Sequence, residues 1–254
     1  MGIKLYGSAP SPPSHSARLM LEYKNLDHRV IWLLPGMWPA LLRLHGFRGG
    51  TVPAMKADGR RIQGSTQISR ALEERKPDPP LYPSDPERRA EVEAAESWGD
   101  QVLQDVPRRI VRWLSVHRPQ TKVMIAKDVG IPFPRFAAWI NTPAARHLAN
   151  KVDADDEIQR AVAQVPEVME HVDRLIAEGV IGGDEPNAAD FQIASSVRSL
   201  LNVKDLDPVT QGHPASELAI RLLPEFGTDF PPGLLPPQWV AQHEERRSAP
   251  RRRT

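Results

Sequence analysis

The sequence predicts an α/β domain over residues 1–76 and an all-helical domain over residues 87–240, joined by a linker at 77–86. In the first part, short apolar runs alternate with helical patterns in the order βαβ-α-ββα. The segment Lys76–Pro86 carries five prolines, which interrupt both kinds of pattern. Beyond it, apolar residues recur at helical spacing, so the chain divides near residue 80.

The first domain is predicted element by element. Runs rich in β-branched residues indicate strands, and apolar residues on one face indicate helices. The elements in order are a strand Ile3–Tyr6, a helix Ser14–Lys24, a strand Arg29–Leu34, an irregular helix Trp38–Leu44, a hairpin Val52–Ala57 with Arg60–Gln63, and a helix Thr66–Glu74. Because a helix connects the first two strands, we expect them to be parallel and the hairpin to be antiparallel.

Two long helices are predicted in the second domain. The first covers Glu87–Val116, where apolar residues keep helical spacing and Pro107 marks a kink. The second covers Asp155–Glu178 and repeats the pattern, although Pro166 disturbs it.

A third helix of this domain is predicted to begin at Asn187 and to run to about Leu201. Asn187 followed by Asp190 is a variant of the capping box, in which the two side chains accept hydrogen bonds from backbone N–H groups at the helix start. We therefore expect a helix whose N-terminus is defined by its own sequence and which is buried. The proline-rich segment Val209–Val240 either covers a cleft between the domains or completes the helical core. The basic tail 241–254 is predicted to be disordered.

Composition excludes several classes of site. The 254 residues include 33 Lys+Arg and 32 Asp+Glu, so net charge points to no partner. Cysteine is absent, which removes disulfides, thiolate nucleophiles and cysteine metal sites. The histidines lack zinc-ligand spacing, so no metal is expected. Without a membrane-spanning run, a signal peptide or a nucleic-acid motif, we expect a cytoplasmic protein that binds neither membranes nor nucleic acid.

The most informative stretch is Val52-Pro53 followed by Gly64-Ser65. A cis bond before Pro53 would turn the chain sharply and leave the Val52 amide free to meet a ligand backbone. Ser65 can cap the following helix and offer its hydroxyl and the helix-start amides to a carboxylate. This pattern predicts a peptide-binding surface with an anion pocket at its end.

These features resemble the cytosolic glutathione transferase superfamily, which joins a thioredoxin-like domain to an all-helical domain. The resemblance covers about residues 2–201 and rests on four motifs in order: Lys4-Leu5-Tyr6, Ser11-Pro12-Pro13-Ser14, Val52-Pro53 with Gly64-Ser65, and Asn187–Asp190. It implies glutathione or another low-molecular-weight thiol as cosubstrate, a small hydrophobic electrophile as substrate, and a homodimer.

The resemblance also implies site residues in the first domain. Ser11 would donate to the thiol sulfur, with Ser14 as the second choice. Val52 would pair with the cysteinyl backbone, Pro53 would hold the geometry, and Ser65 would hold the γ-glutamyl carboxylate. Relatives carry Glu or Gln where this chain has Gly64, and the missing side chain is expected to weaken glutathione binding roughly tenfold or to suit another thiol.

Further candidate site residues are suggested by their positions in the chain. His45 and Arg48 are candidates for the glycyl carboxylate, with solvated surface charge as the alternative. His15 is a candidate for the electrophile pocket, or else an exposed loop histidine. Arg112, Trp113 and His117 at the end of the first long helix complete that pocket, unless Trp113 belongs to the core.

Two functions are compatible with these residues. The first is a glutathione transferase-like enzyme that activates a thiol for conjugation, for cleavage of an ether or halide, or for isomerisation. A mechanism through a protein mixed disulfide is excluded because the chain has no cysteine. The alternative is a non-catalytic ligand-binding or scaffold protein with the same fold, a possibility raised by Gly64.

Overall fold

The computed structural model describes residues 2–33, 38–128, 130 and 155–240. Its first part comprises β1 (Ile3–Gly7), α1 (Pro12–Tyr23), β2 (His28–Trp32), α2 (Trp38–Leu44), β3 (Ala54–Ala57), β4 (Arg60–Gln63) and α3 (Ser65–Arg75). The sheet has the strand order β2-β1-β3-β4. β1 pairs in parallel with β2 and antiparallel with β3, which also pairs antiparallel with β4. The predicted thioredoxin-like order, the parallel pair and the hairpin are confirmed.

The second part is helical. Its elements are α4 (Pro86–Trp98), a π-helical segment (Gly99–Leu103), α5 (Asp105–His117), α6 (Pro119–Asp128), α7 (Asp155–Ala177), α8 (Ala188–Leu201), a 3-10 turn (Lys204–Leu206), α9 (Asp207–Thr210) and α10 (Pro214–Leu222). α7 is continuous through Pro166. α8 is central to this part, because it contacts α4, α10 and α1 and all but one of its residues are buried.

The predicted single helix Glu87–Val116 is wrong, because the π-helical segment divides it into α4 and α5. Gly99 opens the segment where α8 approaches closely, and a Cβ there would lie 3.0 Å from Ile193 and 3.1 Å from Gln192. Pro107, at which the sequence predicts a kink, follows this segment. It lies in the first turn of α5, where backbone N–H groups need no intrahelical acceptor.

The capping box at the start of α8 is confirmed. Asn187 Oδ1 accepts hydrogen bonds from the backbone N–H groups of Ala189 at 2.9 Å and Asp190 at 3.2 Å. The carboxylate of Asp190 accepts from the backbone N–H groups of Asn187 at 2.9 Å and Gly182 at 2.7 Å. Burial raises the pKa of Asp190 to about 6, and these two donors oppose that rise. The box therefore fixes the loop before α8 as well as the helix start.

The two parts share one apolar core. α1 contacts β1 and α3 within the first part and α8 within the second. A single cluster of buried side chains accordingly runs from Leu5 of β1 and Met20 of α1 to Ile193 of α8. A smaller cluster around Tyr6 and Leu42 lies under α2.

The linker is held against α1 by a buried lysine. Lys24 Nζ donates to Glu73 Oε2 at 2.7 Å, to the carbonyl of Lys76 at 2.5 Å and to the carbonyl of Pro79 at 2.8 Å. The Lys24 side chain is fully buried. Glu73 also accepts from the backbone N–H of Leu81 at 2.9 Å, so one ion pair fixes both ends of the linker turn.

A second polar group joins α3 to α4 across the linker. Tyr82 donates from its hydroxyl to a carboxylate oxygen of Glu96, at 2.9 Å, and Ser69 Oγ donates to the same carboxylate at 2.6 Å. Arg70 lies 3.0 Å from Glu96 and stacks over the Tyr82 ring. Burial raises the pKa of Glu96, and these partners lower it. The first and second parts are therefore connected by polar contacts as well as by the core.

The C-terminal strap, residues 223–235, is tied down beside the end of α8. Asn202 Nδ2 donates to the carbonyls of Phe226 at 2.6 Å and Thr228 at 3.2 Å. The carboxylate of Asp205 accepts from three successive backbone N–H groups at 2.6 to 3.0 Å, those of Gly233, Leu234 and Leu235. The strap thus has fixed anchors at both of its ends. The predicted tail 241–254 lies outside the described residues.

Candidate functional site

Strand register brings three loops to one end of the sheet. Tyr6 of β1 pairs with Ala54 of β3, and Ala54 pairs with Gln63 of β4. The turn after β1, the Val52-Pro53 segment before β3 and the start of α3 after β4 therefore lie side by side. This edge contains the first-domain residues that the sequence singled out.

The turn after β1 carries Ser11. The Ser11 N–H donates to the carbonyl of Ser8 at 2.9 Å and closes the turn. Pro12 and Pro13 fill the first two positions of α1, where a missing N–H costs no helical hydrogen bond. Ser11 is the N-cap residue and is partly exposed, yet its hydroxyl makes no hydrogen bond with any residue that the structure describes. That hydroxyl is available to a ligand at the helix start.

Ser14 occupies a different environment. Its side chain is fully buried, and its Oγ accepts a hydrogen bond from the Ser8 N–H at 3.2 Å. Gly7 passes so close that a Cβ on it would lie 3.0 Å from Ser14 Cβ. Ser14 therefore anchors the turn from below, and the geometry favours Ser11 as the donor.

The peptide bond between Val52 and Pro53 is cis. The backbone N–H and carbonyl of Val52 make no hydrogen bond within the described part of the chain, whereas the carbonyl of Pro53 accepts from the Gly64 N–H at 2.9 Å. The segment thus presents the N–H and the carbonyl of one residue, Val52, without a described partner beside the Ser11 turn. An extended ligand backbone would find both a donor and an acceptor there.

The loop before Val52 is held by Gln63. Its side-chain amide bonds the backbone N–H of Gly49 at 2.8 Å and the carbonyl of Gly49 at 3.1 Å, and it reaches the carbonyl of Thr51 at 3.2 Å. His45 and Arg48 are exposed on this loop. Gln63 therefore orders the loop that carries those two side chains, and the His45 ring packs on the Tyr6 ring at 4.8 Å between centroids.

Ser65 is not the N-cap of α3, so that prediction is wrong. Gly64 occupies the cap with φ of 90°, and Ser65 is the first helical residue. Because the cap residue has no side chain, Ser65 Oγ turns instead toward the second domain. It donates to Asp100 Oδ1 at 3.4 Å and is almost fully buried. The helix start and a carboxylate of the π-helical segment thus meet at one point.

Asp100 is the residue that sequence reasoning missed. Gln192 Nε2 of α8 donates to Asp100 Oδ1 at 3.4 Å and lies 2.9 Å from the side-chain amide of Gln104. Both glutamines are buried. The signal for Asp100 was absent because regular helical spacing does not show where a π-helical turn lies. Such turns occur frequently at functional sites.

The space beside Gly64 is not empty. A Cβ on Gly64 would collide with Gln67 Oε1, so the exposed Gln67 amide lies where a side chain at position 64 would begin. Any other residue at this φ would also be strained. Gln67 therefore brings an amide to the region in which Gly64 lacks one.

His15 lies inside α1 and is buried, so the alternative of an exposed loop histidine is wrong. Its ring packs between Trp32, at 5.0 Å between centroids, and Phe226, at 4.4 Å. Nε2 lies 2.8 Å from the carbonyl of Ala9. Burial lowers the pKa of His15 to about 4, and nearby Arg18 adds to the effect. The ring is neutral at pH 7, so Nε2–H donates to Ala9.

The residues at the end of α5 lie in different surroundings. Trp113 is buried against Trp239, and its Nε1 donates to Asp155 Oδ1 at 2.9 Å. The His117 ring stacks on Trp113 at 4.6 Å, and Arg112 is exposed. These contacts place Trp113 in the helical core, which is the alternative that the sequence left open. Among the described residues, no group of three or more His, Asp or Glu side chains has the arrangement of a metal site.

Comparison with known proteins agrees with this geometry. The family model of the glutathione S-transferase N-terminal domain matches residues 5–80. This part of the chain is a glutathione S-transferase domain. The match ends in the linker, so it contains the Ser11 turn, the Val52-Pro53 segment and Ser65.

Solved structures extend the likeness to most of the chain. A glutathione S-transferase from Rhodospirillum rubrum F11 is similar at 22% identity and a TM-score of 0.57, over 95% of this chain and 99% of that one. The β-etherase LigF from Sphingobium sp. strain SYK-6 is similar at 18% identity and a TM-score of 0.59, over 87% and 99%. A glutathione S-transferase from Methylobacterium radiotolerans, solved with glutathione sulfonate, is similar at 19% identity and a TM-score of 0.54, over 87% and 90%. The chain has the fold of the cytosolic glutathione transferase superfamily.

The glutathione S-transferase domain and the π-helical segment together form the candidate site. Ser11, Val52 and Ser65 lie at one edge of the sheet, and Asp100 reaches that edge from the second part. Trp113 packs against Trp239 in the shared apolar core. Within the described residues, none of the helices has the length and apolar content needed to cross a bilayer.

Proposed function

We propose that this protein is a glutathione transferase-type enzyme that binds glutathione at the sheet edge and directs its thiol at a small hydrophobic electrophile. The observation that carries the proposal is the contact between Ser65 and Asp100 at the start of α3. A helix N-terminus suited to an anion thus lies beside an anionic side chain, close to Val52, whose backbone N–H and carbonyl make no hydrogen bond with a described residue.

That arrangement fits an α-amino acid group. A carboxylate is stabilised by the first N–H groups of α3, because a helix N-terminus carries a partial positive charge, and by the Ser65 hydroxyl once the ligand replaces Asp100 as its acceptor. An ammonium group is stabilised by the Asp100 carboxylate, which Gln192 holds in place. The γ-glutamyl end of glutathione has both groups on one carbon. The free N–H and carbonyl of Val52 are suited to the cysteinyl backbone.

Ser11 would act on the sulfur. When bound, glutathione supplies the nucleophile: the thiol proton leaves to solvent, sulfur bonds to the electrophilic carbon, and any leaving group departs with its bonding electrons. The unpaired Ser11 hydroxyl can donate to the sulfur anion, and the N-terminus of α1 adds its dipole. Both effects favour the charged form, which is the reactive one. We also propose a cytoplasmic location and a homodimer, on the pattern of the superfamily.

Calorimetric titration tests the proposed pocket. Glutathione is compared with its des-amino analogue glutaryl-cysteinylglycine, which keeps the carboxylate and loses the ammonium group. Ser65→Ala is expected to weaken both ligands at least tenfold, since a hydrogen bond to a charged group contributes about 1.5–3 kcal/mol. Asp100→Asn is expected to weaken glutathione by a similar factor and to leave the analogue unchanged or bound more tightly.

Asp58→Asn provides the matched control, because Asp58 is exposed in the hairpin turn and pairs with Arg75 away from the site. Its affinity for both ligands should equal that of the wild type. Equal loss of both ligands in Asp100→Asn would contradict the role given to Asp100. Absence of saturable heat from either ligand with the wild type would favour the non-catalytic scaffold.

Gly64→Gln tests the departure from the superfamily pattern. We expect glutathione to bind about tenfold more tightly, since the added amide restores a contact to a charged group. The free energy of unfolding should fall by about 1–3 kcal/mol, because a side chain at φ of 90° is strained and displaces Gln67. Both quantities are measured on the same preparation. Gly64→Ala carries the strain without the amide, so equally tight binding by that variant would contradict the explanation.

A further inference from the structure

The C-terminal strap touches the Ser11 turn directly. Phe226 packs on the His15 ring at 4.4 Å between centroids. Gly227, next in the chain, comes so close that a Cβ on it would lie 3.1 Å from the carbonyl oxygen of Ala9. His15 Nε2 lies 2.8 Å from that same oxygen. One carbonyl of the turn is thus held by a first-domain histidine and approached by the strap.

We propose that the strap positions the Ser11 hydroxyl through His15. Phe226 presses the ring of His15 against Trp32, and the ring fixes the carbonyl of Ala9, two residues before Ser11. This inference rests on the proposed function, since it concerns the turn that would activate the thiol. His15 is therefore a positioning residue, which makes no contact with the reacting sulfur.

The strap can do this because it is itself immobile at its anchors. The Asn202 side chain holds the carbonyls on both sides of Gly227, and the Phe230 N–H donates to the carbonyl of Asn202 at 2.7 Å. Asn202 directly follows α8, the central helix of the second part. The strap residues that contact the turn are therefore hydrogen-bonded to the end of the central helix, which holds them in place.

The chemistry of His15 agrees with a positioning role. Its Nδ1 is buried and has no hydrogen-bond partner among the described residues, so the ring offers only Nε2–H to the protein. The neutral ring donates one hydrogen bond, from Nε2–H to the carbonyl of Ala9, and adds no charge near the sulfur. The arrangement supplies orientation, and Ser11 alone supplies the hydrogen bond.

His15→Phe separates this role from stability. The substitution keeps the stacked ring, removes the donor to Ala9 and also removes the unpartnered Nδ1. Hydrogen exchange of residues 8–15, measured by mass spectrometry on ligand-free protein, is expected to become about tenfold faster, because local opening is less costly. The thiolate fraction of bound glutathione, measured by ultraviolet absorbance against pH, should fall about tenfold, while binding of S-methylglutathione is unchanged. His171→Phe, which alters another ring-stacked histidine at Trp98, is the matched control.

Gly227→Ala tests the strap without changing His15, and remains informative if His15→Phe folds poorly. Its Cβ pushes on Ala9, so the same two readouts should change, whereas Gly233→Ala has open space around its Cβ and should change neither. Unchanged exchange in both test variants, or faster exchange with an unchanged thiol pKa, would overturn the inference. If wild-type protein binds no glutathione, the proposed function fails, and the exchange measurement alone decides whether the strap holds the turn.

Discussion

Turnover by Ser11→Ala is expected to fall about a hundredfold, which is the lower end of the effect seen when one donor to a developing anion is removed. The Ser11 hydroxyl at the start of α1 makes no hydrogen bond with a described residue, and the Ser11 backbone is fixed by its hydrogen bond to Ser8. Removing Oγ therefore changes the thiolate and leaves the turn in place. Steady-state rates with glutathione and a chlorodinitrobenzene measure the effect, and titration with S-methylglutathione should show unchanged affinity.

Ser16→Ala is the appropriate control for this experiment. Ser16 lies on the same helix, and its buried Oγ has no hydrogen-bond partner among the described residues, so its loss should not reduce turnover. Full activity of Ser11→Ala together with an inactive, folded Ser14→Ala would transfer the role to Ser14. Such a result would mean that the Ser8–Ser14 hydrogen bond opens when the thiol binds.

Lys24→Met is expected to lower the free energy of unfolding by about 3–5 kcal/mol, the cost of breaking a buried ion pair from one side. The fully buried Lys24 ammonium has three acceptors, and its loss leaves the Glu73 carboxylate and two linker carbonyls without that donor. Within the described part of the chain, Glu73 would keep the N–H of Leu81 as its hydrogen-bond donor. Denaturation by urea, followed by circular dichroism, gives the value.

Two further variants show whether the mechanism is correct. Lys76→Met removes a single hydrogen bond, from Lys76 Nζ to the carbonyl of Lys24, and should cost about 1 kcal/mol. The double variant Lys24→Met with Glu73→Leu should recover part of the loss, because no unpaired charge remains. A double variant less stable than Lys24→Met would show that the lysine acts through packing and not through the ion pair.

The first domain could be predicted from sequence because its signals are local. The hairpin is marked by Asp58-Gly59, where both residues have positive φ, and its register follows from alternation along two short strands. The capping box of α8 is equally local, since Asn187 and Asp190 lie within one turn. Ser11 and Val52 could be singled out for the same reason.

Other features depend on contacts between distant parts of the chain. Asp100 in the π-helical segment contacts Ser65 at the start of α3, and the adjacent Gly99 leaves room for the close approach of α8. His15 is buried because Phe226 returns from the far end of the chain. Neither partner can be identified from the residues around the other. Sequence reasoning therefore singled out Ser65 and His15 but not their partners Asp100 and Phe226.

The shared core has a consequence for modularity. The family match ends in the linker, yet α1 buries its other side against α8, and Leu5, Met20 and Ile193 belong to one apolar cluster. The end of the family match is therefore not the end of a separately packed hydrophobic core. A fragment ending at the linker would expose the α8-facing side of the helix that carries the serine turn. Grafting this domain onto a foreign helical partner would require that partner to reproduce the α1-facing surface of α8.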